Sequence, residues 1–432
     1  MFDIKEVSLK VKKQLEEKQQ KVYAFEISEE EKRELNTENA EFTLFRTVFD
    51  NDIHVTTIED GRKGAASGND LTDEGIRKVV EDAISGTLSA QADDANQIAE
   101  KQEGGVFQSG PYEANMELFY EKLQAFLDTI EVDFPKIKIL ALIADHTRSH
   151  SIYANSNGTE FETYDGTYHV MIEFAGFEGE RTTGLNYTEI STHDLSTPLI
   201  EQGNMKKQLQ DAEKALNQAT FEGKFEGTVI FTPDCLGYFL YMLSSNYIMG
   251  PVIMDGTSRW LDKVGEKVAS EKITFELKAD DDRLVELSPY TDDGYRAENV
   301  KVIENGVLKA QILDLYAANK TGRKVTRNSS MNVVMEPGEQ SFEEMIASIS
   351  RGLIVGGFSG GEPGANGEFS GVAKNAFYIE NGKIIGAVSE TMINGNLEDV
   401  FKNVTAISKE IISDGSMALP YMASSGIVIS GQ

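Results

Sequence analysis

Gly223-Lys224-Phe225-Glu226-Gly227-Thr228-Val229-Ile230-Phe231-Thr232-Pro233-Asp234 is the passage that decides the architecture. Thr228 to Phe231 is a short β-branched and aromatic run, the pattern of a buried strand. Thr232-Pro233-Asp234 then opens a helix. Threonine caps the first free amides, proline fits the first helical position, and an acid complements the positive helix end. Leu236, Phe239, Leu240 and Leu243 come next at spacings of three and four, so the helix carries an apolar face. The segment from Gly223 to Gly227 separates the two halves of the chain. We therefore expect an N-terminal α+β domain over residues 1–222. A β-rich C-terminal domain over 223–432 carries the helix.

Upstream, Ile4, Val7, Val11 and Leu15 mark an amphipathic helix, with Leu9 off its stripe. Val22 to Ile27 and Phe42 to Val48 read as strands, separated by the charged Ser28–Glu38 as a turn or surface excursion. Asp60-Gly61 is a hairpin signal. Thr72 caps a helix running to Leu88, Ala90 to Gly105 reads as a mobile loop, and Met116 to Ile130 is again amphipathic. Ile137 to Ala144 is an apolar strand. Asn155-Ser156-Asn157-Gly158 is a turn before the strands Thr159–Tyr164 and Thr167–Glu173, and Leu195 to Thr220 reads as largely helical. Downstream, Asn305-Gly306 and Asn381-Gly382 mark hairpins, Ser341 and Glu344 fit a capping box, and Leu397 to Ile407 reads as helix. Runs of strands with interspersed helices predict an α+β fold of mostly antiparallel sheets.

Composition narrows the function. The 432 residues include 41 Lys and Arg against 71 Asp and Glu, a net charge of −30. Such a surface repels nucleic-acid phosphates and anionic membranes, so neither is an expected partner. One cysteine, Cys235, excludes an internal disulfide and a cysteine-rich zinc ribbon. Charges at Asp3, Lys5 and Glu6 stand where a secretory signal needs an apolar core, and the longest apolar stretch, Leu236 to Met254, is interrupted by Pro251 and Gly250. The expectation is a cytoplasmic protein.

No catalytic group emerges from spacing alone. His146 and His150 form H-x-x-x-H, but on a continuing strand their rings stand about 13 Å apart. We read them as surface histidines. Cys235, in the first turn of an apolar helix, reads as a buried small side chain. Asp280-Asp281-Asp282 and Asp292-Asp293 read as solvated turns without the order of a calcium loop. Gly352 to Gly371 holds 8 glycines in 20 residues and fits no phosphate loop. It is either a turn-rich connector or a cleft for an extended peptide.

An ordered set of short segments resembles the TldD/PmbA family, described both as modulators of DNA gyrase and as metallopeptidases. The set begins with Glu59-Asp60-Gly61-Arg62-Lys63-Gly64, Ser156-Asn157-Gly158 and Phe231-Thr232-Pro233. It continues through Gly265-Glu266-Lys267-Val268-Ala269-Ser270, Asp292-Asp293-Gly294 and Ile303-Glu304-Asn305-Gly306. Gly367-Glu368-Phe369-Ser370-Gly371, Ile379-Glu380-Asn381-Gly382 and Ile393-Asn394-Gly395-Asn396 complete it. His54 stands where family members commonly have Arg. One kind of member carries H-E-x-x-x-H on the helix after Thr-Pro, with a distant cysteine, and binds zinc. Here those positions read Tyr241, Met242 and Asn246, with Ser416 in the region of the cysteine.

The resemblance therefore implies the TldE/PmbA kind: no catalytic and no metal-ligating residue, and no cofactor in this chain. Zinc is expected in a TldD-like paralogue with which the chain forms a heterodimeric peptidase. The substrates would be unfolded or short peptides and modified peptide precursors. A homodimer is allowed when the chain is alone. Asp292, Asp293, Gly367, Phe369 and Gly371 are the candidate peptide-cleft residues, binding an extended chain by strand addition. Two other readings stand beside it: a non-proteolytic regulator of the gyrase-modulator type, and a self-sufficient hydrolase with an unrecognised site.

Overall fold

The computed structural model describes residues 3–431 apart from 286 and 329, and its fold is α+β. Two sheets carry the chain. In the first, the path runs Arg62–Gly68, Glu41–Glu59, Val22–Glu38, Ile137–Asn155, Glu160–Glu178 and Gly105–Ser109; Arg181–Thr182 and Asn186–Thr192 also pair with Glu160–Glu178. All of these pairings are antiparallel except that of Gly105–Ser109. The helices Ile4–Glu17 and Asp73–Ser89 bury Val7, Val11, Val79 and Val80 against Phe25, Ile27 and Val55. The helices Met116–Asp133 and Met205–Ala215 cover Leu142, Val170 and Ile172. Each fully buried aliphatic or aromatic side chain contributes about 1.5–3 kcal/mol of transfer free energy, so these helices are held by their apolar faces rather than by propensity.

The second sheet contains a closed ring. Lys224–Phe231 pairs in parallel with Arg351–Gly360, which pairs with Glu368–Glu380, then Met392–Asn396, then Ala418–Ser430; the last strand returns to Lys224–Phe231. Alternation along the strands divides two cores. Val229, Phe231, Leu353 and Val355 join the core of the helix Pro233–Tyr247, while Ile230 and Ile354 point to the other side, against Met345 and Ile346 of the helix Phe342–Ala347. The Ser341–Glu344 capping box is formed. Asn305-Gly306 and Asn381-Gly382 have the paired positive φ values of tight hairpin turns, as does Asp60-Gly61.

Several expectations give way. Ser28–Glu38 is no excursion; it continues the strand Val22–Glu38. The two strands expected over 159–173 are one, Glu160–Glu178. Leu195–Thr220 holds only a single 3-10 turn, Leu199–Glu201, and the helix Met205–Ala215; Leu397–Ile407 splits into the helix Leu397–Lys402 and the strand Val404–Ser413. The β-branched Val404, Thr405 and Ile407 favour that strand. Residues 90–104 lack regular structure but are not free. Ala99 is fully buried, and Asp93 and Glu100 reach Tyr316, Lys320, Tyr295 and Arg327 in the second half of the chain. Among the described residues no helix is long and apolar enough to cross a membrane.

Candidate functional site

The helix Pro233–Tyr247 lies against the ring, packed on Ala418–Ser430 and Arg351–Gly360. Thr232 Oγ1 accepts the Cys235 amide, as its capping role requires. Tyr241, Met242, Asn246 and Ser416, which the resemblance sets opposite H-E-x-x-x-H and the distant cysteine, do not form a donor set. Tyr241 is exposed, whereas Met242 is fully buried in the apolar core. Asn246 Nδ2 donates to the Pro363 carbonyl at 3.4 Å, and the Ser416 hydroxyl donates to Asp414 at 2.9 Å. A phenol, a buried thioether, an amide and a hydroxyl do not fit zinc, which takes thiolate, imidazole or carboxylate. Among the described residues no group of three or more His, Cys, Asp or Glu side chains is placed to hold a metal ion.

The histidines are a correction. His146 and His150 do lie on one strand, Ile137–Asn155, but both are buried rather than on the surface. His146 Nε2 lies 2.8 Å from the Pro111 carbonyl, and burial lowers its pKa. His150 Nε2 meets Glu162 Oε1 at 2.8 Å, and its ring stacks on Tyr164. Cys235 is buried as expected, and desolvation pushes its thiol far up, away from a reactive thiolate.

The candidate peptide-cleft residues fall in two places. Asp292 and Asp293 sit in the turn that joins the halves: Tyr153 donates its hydroxyl to the Asp293 carbonyl at 3.2 Å, and Asp293 Oδ2 accepts the Leu315 amide at 2.7 Å. Gly367, Phe369 and Gly371 belong to the paired strands Arg351–Gly360 and Glu368–Glu380 and the turn between them, so the glycine-rich stretch is mainly hairpin rather than connector. The room beside its glycines is taken by the protein's own rings. A Cβ on Gly367 would stand 2.0 Å from the Tyr247 hydroxyl, and one on Gly371 2.4 Å from the Phe358 ring. Phe369 is buried edge-on against Phe239 and Phe358. Its backbone and Ser370 border a shallow hollow of about 550 Å³.

A larger cleft, about 880 Å³, opens between the two sheets at the N-terminus of the helix Pro233–Tyr247. No sequence motif signalled it, because its walls come from segments remote in the chain. Leu185, Tyr187 and Glu189 come from the first sheet and its approach, Asn204 and Gln208 from the helix Met205–Ala215 and its cap, and Lys374 and Asn375 from the ring. Asp234 is exposed to solvent on the wall of the cleft. Loss of solvation pushes its carboxyl up in pKa, hydrogen bonds from Asn204 Nδ2 (3.0 Å) and Gln208 Nε2 (2.5 Å) oppose this, and the charges of Asp414 and Glu189 add to the rise. Behind Glu189, His169 bridges to the buried Asp145, and the two carboxylates raise the imidazole to about 9, so it is charged at neutral pH. Only the helix start at Thr232-Pro233-Asp234 was legible, and that placed the carboxylate without its neighbours.

Residues 223–431 match the PmbA/TldA metallopeptidase C-terminal domain, and residues 25–86 match the PmbA/TldA metallopeptidase domain 1. This chain belongs to the PmbA/TldD family. It is 26% identical to the metalloprotease PmbA of Escherichia coli over 413 residues, covering 90% of this chain and 88% of that protein. The fold superposes on TldE from Thermococcus kodakarensis with a TM-score of 0.84, at 21% identity, covering 96% of this chain and 98% of the other. A structure described as a modulator of DNA gyrase, from Bacteroides thetaiotaomicron, gives a TM-score of 0.86 at 21% identity over 100% of both chains. The PmbA/TldD fold is thus present from end to end.

Proposed function

We propose that this chain is the metal-free, TldE-like subunit of a two-chain PmbA/TldD peptidase. It supplies part of the chamber that encloses unfolded or short peptides and modified peptide precursors, while a zinc-bearing paralogue supplies the metal and the water-activating glutamate. The observation that carries this reading is the helix Pro233–Tyr247. It keeps the family's Thr-Pro start and its place against the ring but presents a phenol, a buried thioether and an amide in place of the two histidines and the glutamate of H-E-x-x-x-H. The glycine-rich hairpin holding Gly367, Phe369 and Gly371, and the turn at Asp292 and Asp293, are its proposed peptide-facing elements.

The test is reconstitution. The purified chain is expected to carry less than about a tenth of an equivalent of zinc and to leave an unfolded casein substrate intact; in both respects the donor chemistry sets the expectation. Mixed with an H-E-x-x-x-H paralogue from the same genome, it is expected to form a 1:1 complex whose peptidase activity exceeds that of the paralogue alone and is abolished by chelator. A paralogue equally active without this chain would overturn the subunit reading in favour of a regulatory partner. Chelator-sensitive cleavage by this chain alone would overturn it in favour of a self-sufficient hydrolase.

A further inference from the structure

We propose that the cleft between the two sheets is a recognition pocket for a primary alkylammonium group, held at Asp234 and Asn204. Three carboxylates, Glu189, Asp234 and Asp414, line this cavity. They do not converge as metal ligands do, since no metal-holding group of acids forms among the described residues. Their field therefore suits a cation carried on an organic body. Lys374 also lines the cavity but is exposed and forms no ion pair among the described residues; Glu189 is paired with His169, which leaves Asp234 and Asp414 without a cationic partner among the described residues.

A second observation points to a missing donor. Asn204 lines the cleft with 7% of its surface exposed; its Nδ2 is spent on Asp234, and its Oδ1 is buried with no hydrogen-bond partner among the described residues. An unmet buried acceptor is costly, about 1–3 kcal/mol, and a donor that satisfies it recovers that cost. Asp234 uses only Oδ2 for Asn204 and Gln208, and its Oδ1 accepts nothing among the described residues. An ammonium has three donors and no acceptor, the complement of a carboxylate oxygen and an amide oxygen that both lack donors. The remaining walls fit the body of such a ligand: Leu185 and Tyr187 are large and exposed, and Met171 and Met417 also line the cleft. An aliphatic stem would lie on these side chains while its charged end reached the acids.

This inference takes peptides as ligands from the subunit reading, and its source of ammonium is either a lysine side chain or a peptide N-terminus. It is measured on the isolated full chain, so it can fail while reconstitution succeeds, and the reverse. The probes are Nα-acetyl-lysine methylamide, alaninamide, and neutral Nα-acetyl-norleucine methylamide, titrated by calorimetry with far-ultraviolet circular dichroism as the folding control. At least one amine is expected to bind about tenfold or more tightly than the norleucine compound, as charge-assisted hydrogen bonds imply. Preference for the lysine compound assigns a side-chain ammonium, and preference for alaninamide assigns an N-terminus. Asp234→Asn is expected to weaken the amine about tenfold. Lys374→Glu, on an exposed wall where folding is not at stake, is expected to strengthen it severalfold. Equal binding of the norleucine compound, no binding of either amine, or unchanged affinity in folded Asp234→Asn would overturn the proposal. If Asp234→Asn does not fold, unchanged affinity in Lys374→Glu overturns it.

Discussion

Two glycines separated by a few residues behave as different objects. Gly367 has φ +79°, and the space its side chain would occupy holds the Tyr247 hydroxyl at 2.0 Å. Among the described residues, Gly361 has no atom beyond its chain neighbours within 4 Å of where a Cβ would sit. Gly367→Ala must therefore pay for a left-handed backbone and displace a ring stacked on Trp260 in the core of the second half. We expect it to cost about 2–4 kcal/mol, against less than about 0.5 for Gly361→Ala, in urea unfolding. Equal effects would mean that the hairpin turn does not rest on Tyr247. The same residue scale explains why the sequence names Gly367 as special without naming its neighbour. A glycine announces freedom of backbone or space, while what fills that space comes from a tyrosine 120 positions earlier.

At the scale of elements, legibility depends on whether the stabilising partner is local. The Thr232 cap, the Ser341–Glu344 box and the Asp60-Gly61 and Asn381-Gly382 hairpins depend on neighbours within four residues, and all stand where the pattern puts them. Ser28–Glu38 depends on residues far away. Its charges look solvated, yet Glu31 and Glu34 are buried within the strand Val22–Glu38 because arginines on this strand and its neighbours meet them. Glu31 binds Arg33 and, across the sheet, Arg148 at 2.5 and 3.1 Å; Glu34 binds Arg46. Burial alone would raise the Glu31 carboxyl, but the hydrogen bonds from Arg33 and Arg148 lower it below its ordinary value. No periodicity within eleven residues reveals an arginine 117 positions downstream. The expected consequence is that Arg148→Ala, which strips Glu31 of its cross-strand partner, destabilises the chain by about 2–4 kcal/mol. Glu31→Gln in the same background is expected to recover part of that loss. A chemical-denaturation cycle of the four variants measures the coupling, and a value near zero would reduce this ion pair to surface decoration. The cleft was illegible for the same reason, since its acids and amides meet only when both sheets are in place.

At the scale of the whole molecule, the halves are joined by tyrosine hydroxyls. Tyr153 reaches the Asp293 carbonyl, Tyr295 reaches Glu100, Tyr316 reaches Asp93, and Tyr290, stacked on Phe161 and tilted against Tyr153, donates to Glu26 at 2.8 Å. Glu26 makes the junction sensitive to pH. Desolvation raises its carboxyl above the ordinary value, and the Tyr290 hydrogen bond acts against that rise by stabilising the anion. Removing the donor in Tyr290→Phe keeps the ring stack but leaves the buried carboxylate without it, so the folded-state pKa climbs further while the unfolded value stays put. A group with a raised folded pKa of the acidic kind penalises folding above that pKa and ceases to do so once protonated in both states. The variant's deficit is therefore expected to be largest at neutral pH, about 1–3 kcal/mol, and to shrink as the pH falls through the carboxylate range. Urea unfolding of wild type and Tyr290→Phe from about pH 7 to about pH 4 measures it. A deficit that is flat with pH would mean Glu26 stays solvated and the junction is held by the rings alone. A transition that separates into two steps in the variant would identify Tyr290 as the contact that makes the two sheets unfold as one.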